Sequence, residues 1–385
     1  FFASAVWQRP SNMMSRCDLT PAGSLVAEQQ AERWLNLVEG RLVAPVNYTS
    51  VSSNGCSPFV NVVICVFPPQ WREECCHECH RHSRYGSLKQ VLDAIVPTLP
   101  ADHRVCLPFG LRDSVPYKHA QALSAPLLST IYSHTHSLAI PFAMGNLRDG
   151  ATAATSTPVV GWDRFVRSQF PRCNTSDRAM HWKVVFRGKA VDITHRYGSC
   201  KQHCVRAKSP LDNGRLLMHS LTQQHPALLD TRVSNPDWRF GPGDQRGAPH
   251  TAGTFIPLPT QLCDYAAVLN VGNNADWAER LRQLFYGNAV VMVPEWTAHE
   301  FFNEHMVAYR NFWPIQADLS DVLQQARRVL SLKNRSKMLQ RQRRFAETYL
   351  SECFMLQYNA AVMRAYHRHA AGLRKDERKW PMEIR

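Results

Sequence analysis

The densest chemistry in the sequence lies between Cys263 and Phe302. A short apolar strand leads into a Gly/Asn-rich turn that holds Gly272 and Asn274, and a helix is predicted to open near Asp276. That helix carries Arg280 and Arg282. A buried strand, Ala289-Val290-Val291-Met292-Val293, follows and breaks at Pro294-Glu295-Trp296, where a second helix is expected. Strand, polar turn and helix N-terminus in that order favour an anionic ligand, because free backbone N–H groups and the helix dipole both attract negative charge. Two arginines one turn into the helix would complete a phosphate clamp. The plainer reading of the same pattern is a βαβ unit with solvated arginines.

Three further groups could do chemistry. The strand Arg104–Phe109 ends at Gly110-Leu111-Arg112-Asp113, and a carboxylate at the C-terminal end of a strand in an open α/β sheet sits where ligands bind. Asp113 there could act as a general base on a hydroxyl, or simply pair with Arg112. The strand Trp182–Lys189 runs into Arg187-Gly188, followed by a polar loop with Arg196. Glycine at a strand end lets backbone approach a ligand, and the arginine before it can reach a phosphate or ribose. Lastly, Cys75, Cys76, Cys79 and His80 have metal-like spacing. No second ligand pair stands at a convincing distance, so disulfides or free thiols are favoured over a zinc site.

The elements that must position these groups read as α/β. Helices are expected at Val26–Glu39 and Leu88–Leu99, and strands at Val60–Phe67 and Arg104–Phe109. Leu138–Phe142 is a further short apolar element, and an amphipathic helix starts at Gly161-Trp162-Asp163-Arg164-Phe165. From Asp318 the chain is helical, with Leu319, Leu323, Ala326 and Leu330 at helical spacing and one long basic helix from about Lys337 to His369. The Gly/Pro-rich stretch Asp237–Thr254 reads as a surface loop.

At 385 residues and 44% hydrophobic, the chain can bury a core in each of two domains. Residues 1–16 read as an acid-free arm and 17–160 as a first domain with a Cys-rich subregion. Residues 161–350 read as a second domain, and 351–385 as a C-terminal helix and tail. The net charge of +14 is spread along the length, which argues against a nucleic-acid groove. No apolar run is long enough to span a membrane as a helix. Twelve cysteines and three Asn-x-Ser/Thr sequons, at Asn47, Asn174 and Asn334, are compatible with an oxidising lumen.

The order of motifs resembles glycosyltransferase family 90, the Rumi-like protein O-glucosyltransferase and capsule-associated family. It rests on Leu111-Arg112-Asp113, Gly161–Phe165, Phe186-Arg187-Gly188, Leu269-Asn270, Arg280–Phe285, Gly287-Asn288, Pro294-Glu295-Trp296, Glu300-Phe301-Phe302, Trp313-Pro314-Ile315 and Asp318–Asp321. The likeness covers roughly residues 86–370. It implies an α/β fold of GT-B type, two Rossmann-like domains facing a cleft, with C-terminal helices. It also implies an inverting transfer of glucose or xylose from a UDP-sugar to a protein or glycan hydroxyl, with no metal or other cofactor. Asp113 matches the catalytic base and Arg280 the arginine on the diphosphate. Arg187, Gly188, Arg196, Gly272, Asn274, Arg282 and Glu295 fall to the nucleotide sugar. Expected locations are the lumen of the endoplasmic reticulum or Golgi. The competing expectation is a catalytically degenerate relative, a structural subunit of a larger assembly in an organelle such as the mitochondrion.

Overall fold

Runs of consecutive apolar residues, rather than alternating ones, are what strands covered on both faces require, and these runs form the centres of two sheets. The computed structural model describes residues 17, 21–41, 60–75, 82–111, 125–130, 132–133, 139–145, 158–170, 181–188, 214–233, 256–271, 280–295 and 298–374. In chain order the strands are β1 (Val62–Phe67), β2 (Gln70–Cys75), β3 (Val105–Phe109), β4 (Leu127–Ser129), β5 (Tyr132–Ser133), β6 (Ala139–Pro141), β7 (His181–Gly188), β8 (Leu229–Val233), β9 (Tyr265–Leu269), β10 (Val290–Pro294), β11 (Ala298–His299) and β12 (Trp313–Ile315). The helices are α1 (Pro21–Glu39), α2 (Ser83–Ile95), α3 (Trp162–Gln169), α4 (Gly214–Gln224), α5 (Leu258–Asp264), α6 (Leu281–Leu284), α7 (Val322–Leu330), α8 (Arg335–Tyr349) and α9 (Glu352–Arg374). The chain forms two α/β units. Unit 1 comprises residues 1–132, 138–162 and 351–385, and unit 2 comprises 133–137 and 163–350.

Unit 1 has a mixed sheet in the order β2-β1-β3-β4-β6. β1 pairs antiparallel with β2 and β3, while β3, β4 and β6 run parallel. Cys65 and Cys106 face each other across β1 and β3 and form a disulfide, and Cys17 is bonded to Cys353 at the start of α9. The C-terminal helix is part of this core. Asn359 brackets the backbone of Ala143, accepting from its N–H and donating to its carbonyl, both at 2.8 Å. Tyr358 donates to Pro141 O at 2.7 Å, and both side chains are fully buried. His103 lies against Met363 O, and burial pushes its pKa down to about 4.

α1 and α9 are joined by charge. Arg364 Nε donates to Glu28 at 2.6 Å, Arg368 spans Glu28 and Glu32, and His369 holds Glu39 at 2.8 Å and Glu32 at 2.9 Å. The hydrogen bond to Glu39 raises the His369 pKa, burial opposes it, and Glu32 raises it further. A folded-state pKa above the unfolded value of about 6.5 stabilises fully below that value and is lost as pH rises through the folded pKa. Thermal unfolding of wild type followed from pH 5 to 9 is therefore expected to show a fall in stability that His369→Gln lacks. Parallel profiles for the two proteins would remove His369 as the titrating group.

Unit 2 is built on a parallel sheet ordered β12-β10-β9-β7-β8. Counted along the chain this is the doubly wound order 2-1-3-4-5. α4 forms part of the crossover from β7 to β8. Leu216 and Met218 of α4 join Val184, Phe186, Leu269, Met292, Val322 and Val329 in one buried cluster. Close packing fixes one glycine. A Cβ on Gly287 would lie 2.5 Å from Leu262 Cβ, where Leu262 O accepts from Asn288 N.

Two expected helices differ. The single helix over 337–369 is interrupted at Leu350-Ser351, where the chain passes from unit 2 to unit 1. Ser351 Oγ accepts from Phe354 N at 3.3 Å, which caps a new helix. After Pro294 the short strand β11 and a 3-10 turn at Asn303–His305 replace the expected helix. Asn303 Oδ1 accepts from Glu300 N at 2.7 Å, tightening that turn instead of letting it propagate. The loop expected over Asp237–Thr254 lies outside the described residues.

Candidate functional site

In a doubly wound sheet the connections leave the first and third strands in opposite directions, which opens a crevice at their C-terminal ends. In unit 2 these strands are β7 and β9, neighbours in the sheet. Arg280 lies at that point. Its Nη1 donates to Arg187 O, near the end of β7, at 2.7 Å, and its Nη2 reaches Leu269 O, at the end of β9, at 3.5 Å. The guanidinium carbon stands 4.4 Å from the centre of the Phe186 ring, a cation–π contact.

Arg280 is a buried charge, and no acid stands against it among the described residues. Among the described residues its partners are carbonyls, an aromatic face and another cation, and its Nε has no hydrogen-bond acceptor. Burial, with Arg215 as a second cause, pulls its pKa down to about 9, so it remains cationic at neutral pH. A cation held this way by protein groups alone costs free energy. An arriving anion would supply the missing charge, which is how binding sites differ from structural ion pairs.

Arg215 was not evident from the sequence. It sits in the first turn of α4, donates from Nη2 to Val271 O at 3.2 Å, and lies 5.5 Å from the same Phe186 ring. Only the order of the strands brings residues 215 and 280 together, so no local spacing signals it. Asn270, between the two residues whose carbonyls the arginines use, is buried, and its Oδ1 has no donor.

Gly188 closes the arrangement. A Cβ there would come 2.9 Å from Phe186 Cζ and 3.5 Å from Arg215 Nη1. Gly188→Ala must displace the ring on which both arginines rest, and overpacking of this kind typically costs about 1–3 kcal/mol. A drop in unfolding free energy of that size is expected, together with weaker anion binding. Unchanged values for both by denaturant melt and calorimetry would show that the ring moves freely.

The other expected site residues are placed differently. Arg187 is 9% exposed and turns to Asp230, with Nη2 at 2.9 Å from Oδ1 and Nη1 bonded to the Asp230 carbonyl. Tyr265 also donates to that carboxylate, at 2.6 Å, and Arg232 stands at 3.4 Å. Burial raises the Asp230 pKa, but the bonds from Tyr265 and Arg187 outweigh it and hold the group below the usual range. The backbone of Arg187 lines the crevice, while its charge braces β7 against β8.

Arg282 is 1% exposed and is set against Glu300, with Nε 3.9 Å from Oε2. Glu295 is exposed just past β10, its N–H donating to Ile315 O at 2.9 Å. The helix that carries Arg280 is described only as the four residues of α6, with Arg280 at its N-cap position. A turn this short offers no N-terminal anion site of its own, so the side chains must supply the charge. Asp113, Arg196, Gly272 and Asn274 lie outside the described residues, as do Cys76, Cys79 and His80. Cys75 ends β2, and no group of metal-ligating side chains occurs among the described residues.

The end of β3, from which Asp113 follows after Gly110-Leu111-Arg112, is firmly held. Asn61 Oδ1 accepts from Leu111 N at 2.8 Å, Arg84 Nη1 donates to Leu111 O at 2.9 Å, and Gly110 N donates to Leu128 O at 2.8 Å. No protein-family model matches the chain, and none of the curated proteins compared with it is similar.

Proposed function

We propose that the protein is an inverting O-glycosyltransferase of the family-90 kind, with a GT-B arrangement, that moves glucose or xylose from a UDP-sugar to a hydroxyl. The observation that carries this reading is Arg280, a buried guanidinium with no carboxylate partner among the described residues, at the C-terminal ends of β7 and β9. A leaving diphosphate needs its developing charge neutralised, and Arg280 supplies a cation where a doubly wound sheet receives nucleotides. The motif order around it, from Phe186-Arg187-Gly188 to Trp313-Pro314-Ile315, is the second support.

On this reading Asp113 takes the proton from the acceptor hydroxyl. The hydroxyl oxygen then attacks the anomeric carbon from the face opposite UDP, and the bond to UDP breaks with its electrons passing to the diphosphate. Positioned base catalysis of this type contributes about 10²–10⁴-fold. The disulfides at Cys17–Cys353 and Cys65–Cys106 and the disulfide-bonded Cys263 support an oxidising compartment, hence the secretory lumen.

Calorimetric titration of the full chain with UDP, in the presence of EDTA, tests the reading. UDP is expected to bind without added metal, and UDP-glucose or UDP-xylose to release UDP slowly in the absence of acceptor. A chain that binds no UDP and hydrolyses neither sugar nucleotide is not this enzyme.

A further inference from the structure

Between α7 and α8 the chain turns at the surface of unit 2. Ser331, Lys333, Asn334, Ser336 and Lys337 are all exposed there, and Asn334-Arg335-Ser336 is the one Asn-x-Ser/Thr triplet among the described residues. Asn334 occupies the N-cap position of α8, where an asparagine side chain normally accepts a hydrogen bond from the first turn. Here it accepts none, and only the Asn334 carbonyl is used, by Met338 N at 3.2 Å. Among the described residues the Ser336 hydroxyl has no partner either. Arg335 between them is the anchor. It is buried, with Nη2 at 3.3 Å from Ala266 O and also donating to Asn288 O. The middle residue thus fixes the turn, while an amide and a hydroxyl on either side of it take no part in the fold. Those two groups, at that spacing and at the surface, are what an N-linked glycan requires.

We propose that Asn334 carries an N-linked oligosaccharide. This rests on the luminal reading of the compartment and not on the nucleotide-sugar reading of the crevice. The donor is a lipid-linked oligosaccharide diphosphate, and the catalyst is the cell's own transferase. Asn334 Nδ2 forms the new bond to the anomeric carbon of the reducing-end sugar. The bond from that carbon to the lipid diphosphate breaks with its electrons passing to the diphosphate, and the amide proton leaves to a base of the transferase. The transferase has to reach all three residues of the triplet, and Arg335 is covered once α8 packs on the sheet. The transfer therefore comes before α8 docks, and the finished glycan stands in solvent beside Lys333 and Lys337.

The test is glycopeptide mass spectrometry on a chymotryptic digest of the full chain isolated from its own cells, with Asn334→Gln, Ser336→Ala and Ser336→Thr expressed alongside. The peptide that holds Asn334 is expected to carry an oligosaccharide that peptide N-glycosidase removes, leaving Asp in its place. Asn334→Gln and Ser336→Ala are each expected to lose that one glycan, and Ser336→Thr to keep it. Made in bacteria without glycans, both losing variants are expected to melt with wild type, so that a lost glycan is not a sign of misfolding. An unmodified Asn334 in a chain glycosylated at Asn47 or Asn174 overturns the proposal and leaves the luminal reading standing. A chain with no glycan at any of the three triplets overturns the proposal, and free thiols at Cys65 and Cys106 in that chain overturn the luminal reading with it. Neither result touches the donor reading, which stands or falls by the UDP titration.

Discussion

Replacement of Arg280 by methionine is expected to weaken UDP binding by about a hundredfold while lowering the stability of the fold only slightly, or raising it. The two halves of that result have one cause. Arg280 gives hydrogen bonds to two carbonyls, but among the described residues no carboxylate balances its charge, its Nε is buried without an acceptor, and Arg215 stands nearby. Within the protein alone this is unfavourable electrostatics, retained at a cost of the kind that functional sites carry. Methionine fills much of the volume, lies on the Phe186 ring and removes the repulsion. Against this it strands the carbonyls of Arg187 and Leu269, which cost less than a charge when short of one donor. The melting temperature should therefore shift by no more than a few degrees downward, or rise. Calorimetry with UDP and a thermal melt decide it together. A variant that melts far lower and binds UDP as tightly as wild type would make Arg280 a structural residue and remove the main support for a nucleotide site.

Much of the fold was legible because buried parallel strands are written as uninterrupted apolar runs. Val290–Val293, Val184–Phe186 and Ala266–Leu269 have this form, and all lie in one sheet. The crevice was legible only in part. Arg280 stood out because a polar turn and a strand flank it. Arg215 did not, because it stands in an ordinary helix start, Gly214-Arg215-Leu216-Leu217, and its meaning comes from strand order across 65 residues of chain. Proximity in sequence alone makes Arg282 a companion of Arg280. Residues two apart on a helix do not face each other, and the structure turns one to the crevice and the other to Glu300. The interrupted C-terminal helix shows a different limit. Residues 337–369 keep a helical composition throughout, and a single serine, Ser351, marks the break.

Arg282→Met is expected to give the opposite result to Arg280→Met, a loss of about 3–5 kcal/mol with nucleotide affinity preserved in the folded fraction. The Arg282 side chain is 1% and that of Glu300 4% exposed, and Arg282 Nε stands 3.9 Å from Glu300 Oε2. Taking away the cation leaves a carboxylate in surroundings where Phe301 and Phe302 are also fully buried. A buried charge that loses its ion-pair partner is among the few single changes that cost this much, and the loss would be a large share of a typical domain's stability. The partner change supplies the control. When both members of a buried pair become apolar side chains of similar size, stability often returns or improves, so Arg282→Met with Glu300→Met should recover most of what the single variant loses. A denaturant series on the two singles and the double yields the coupling energy directly. If Arg282→Met instead unfolds like wild type and loses UDP binding tenfold or more, the arginine belongs to the crevice. The pairing with Glu300 would then be secondary.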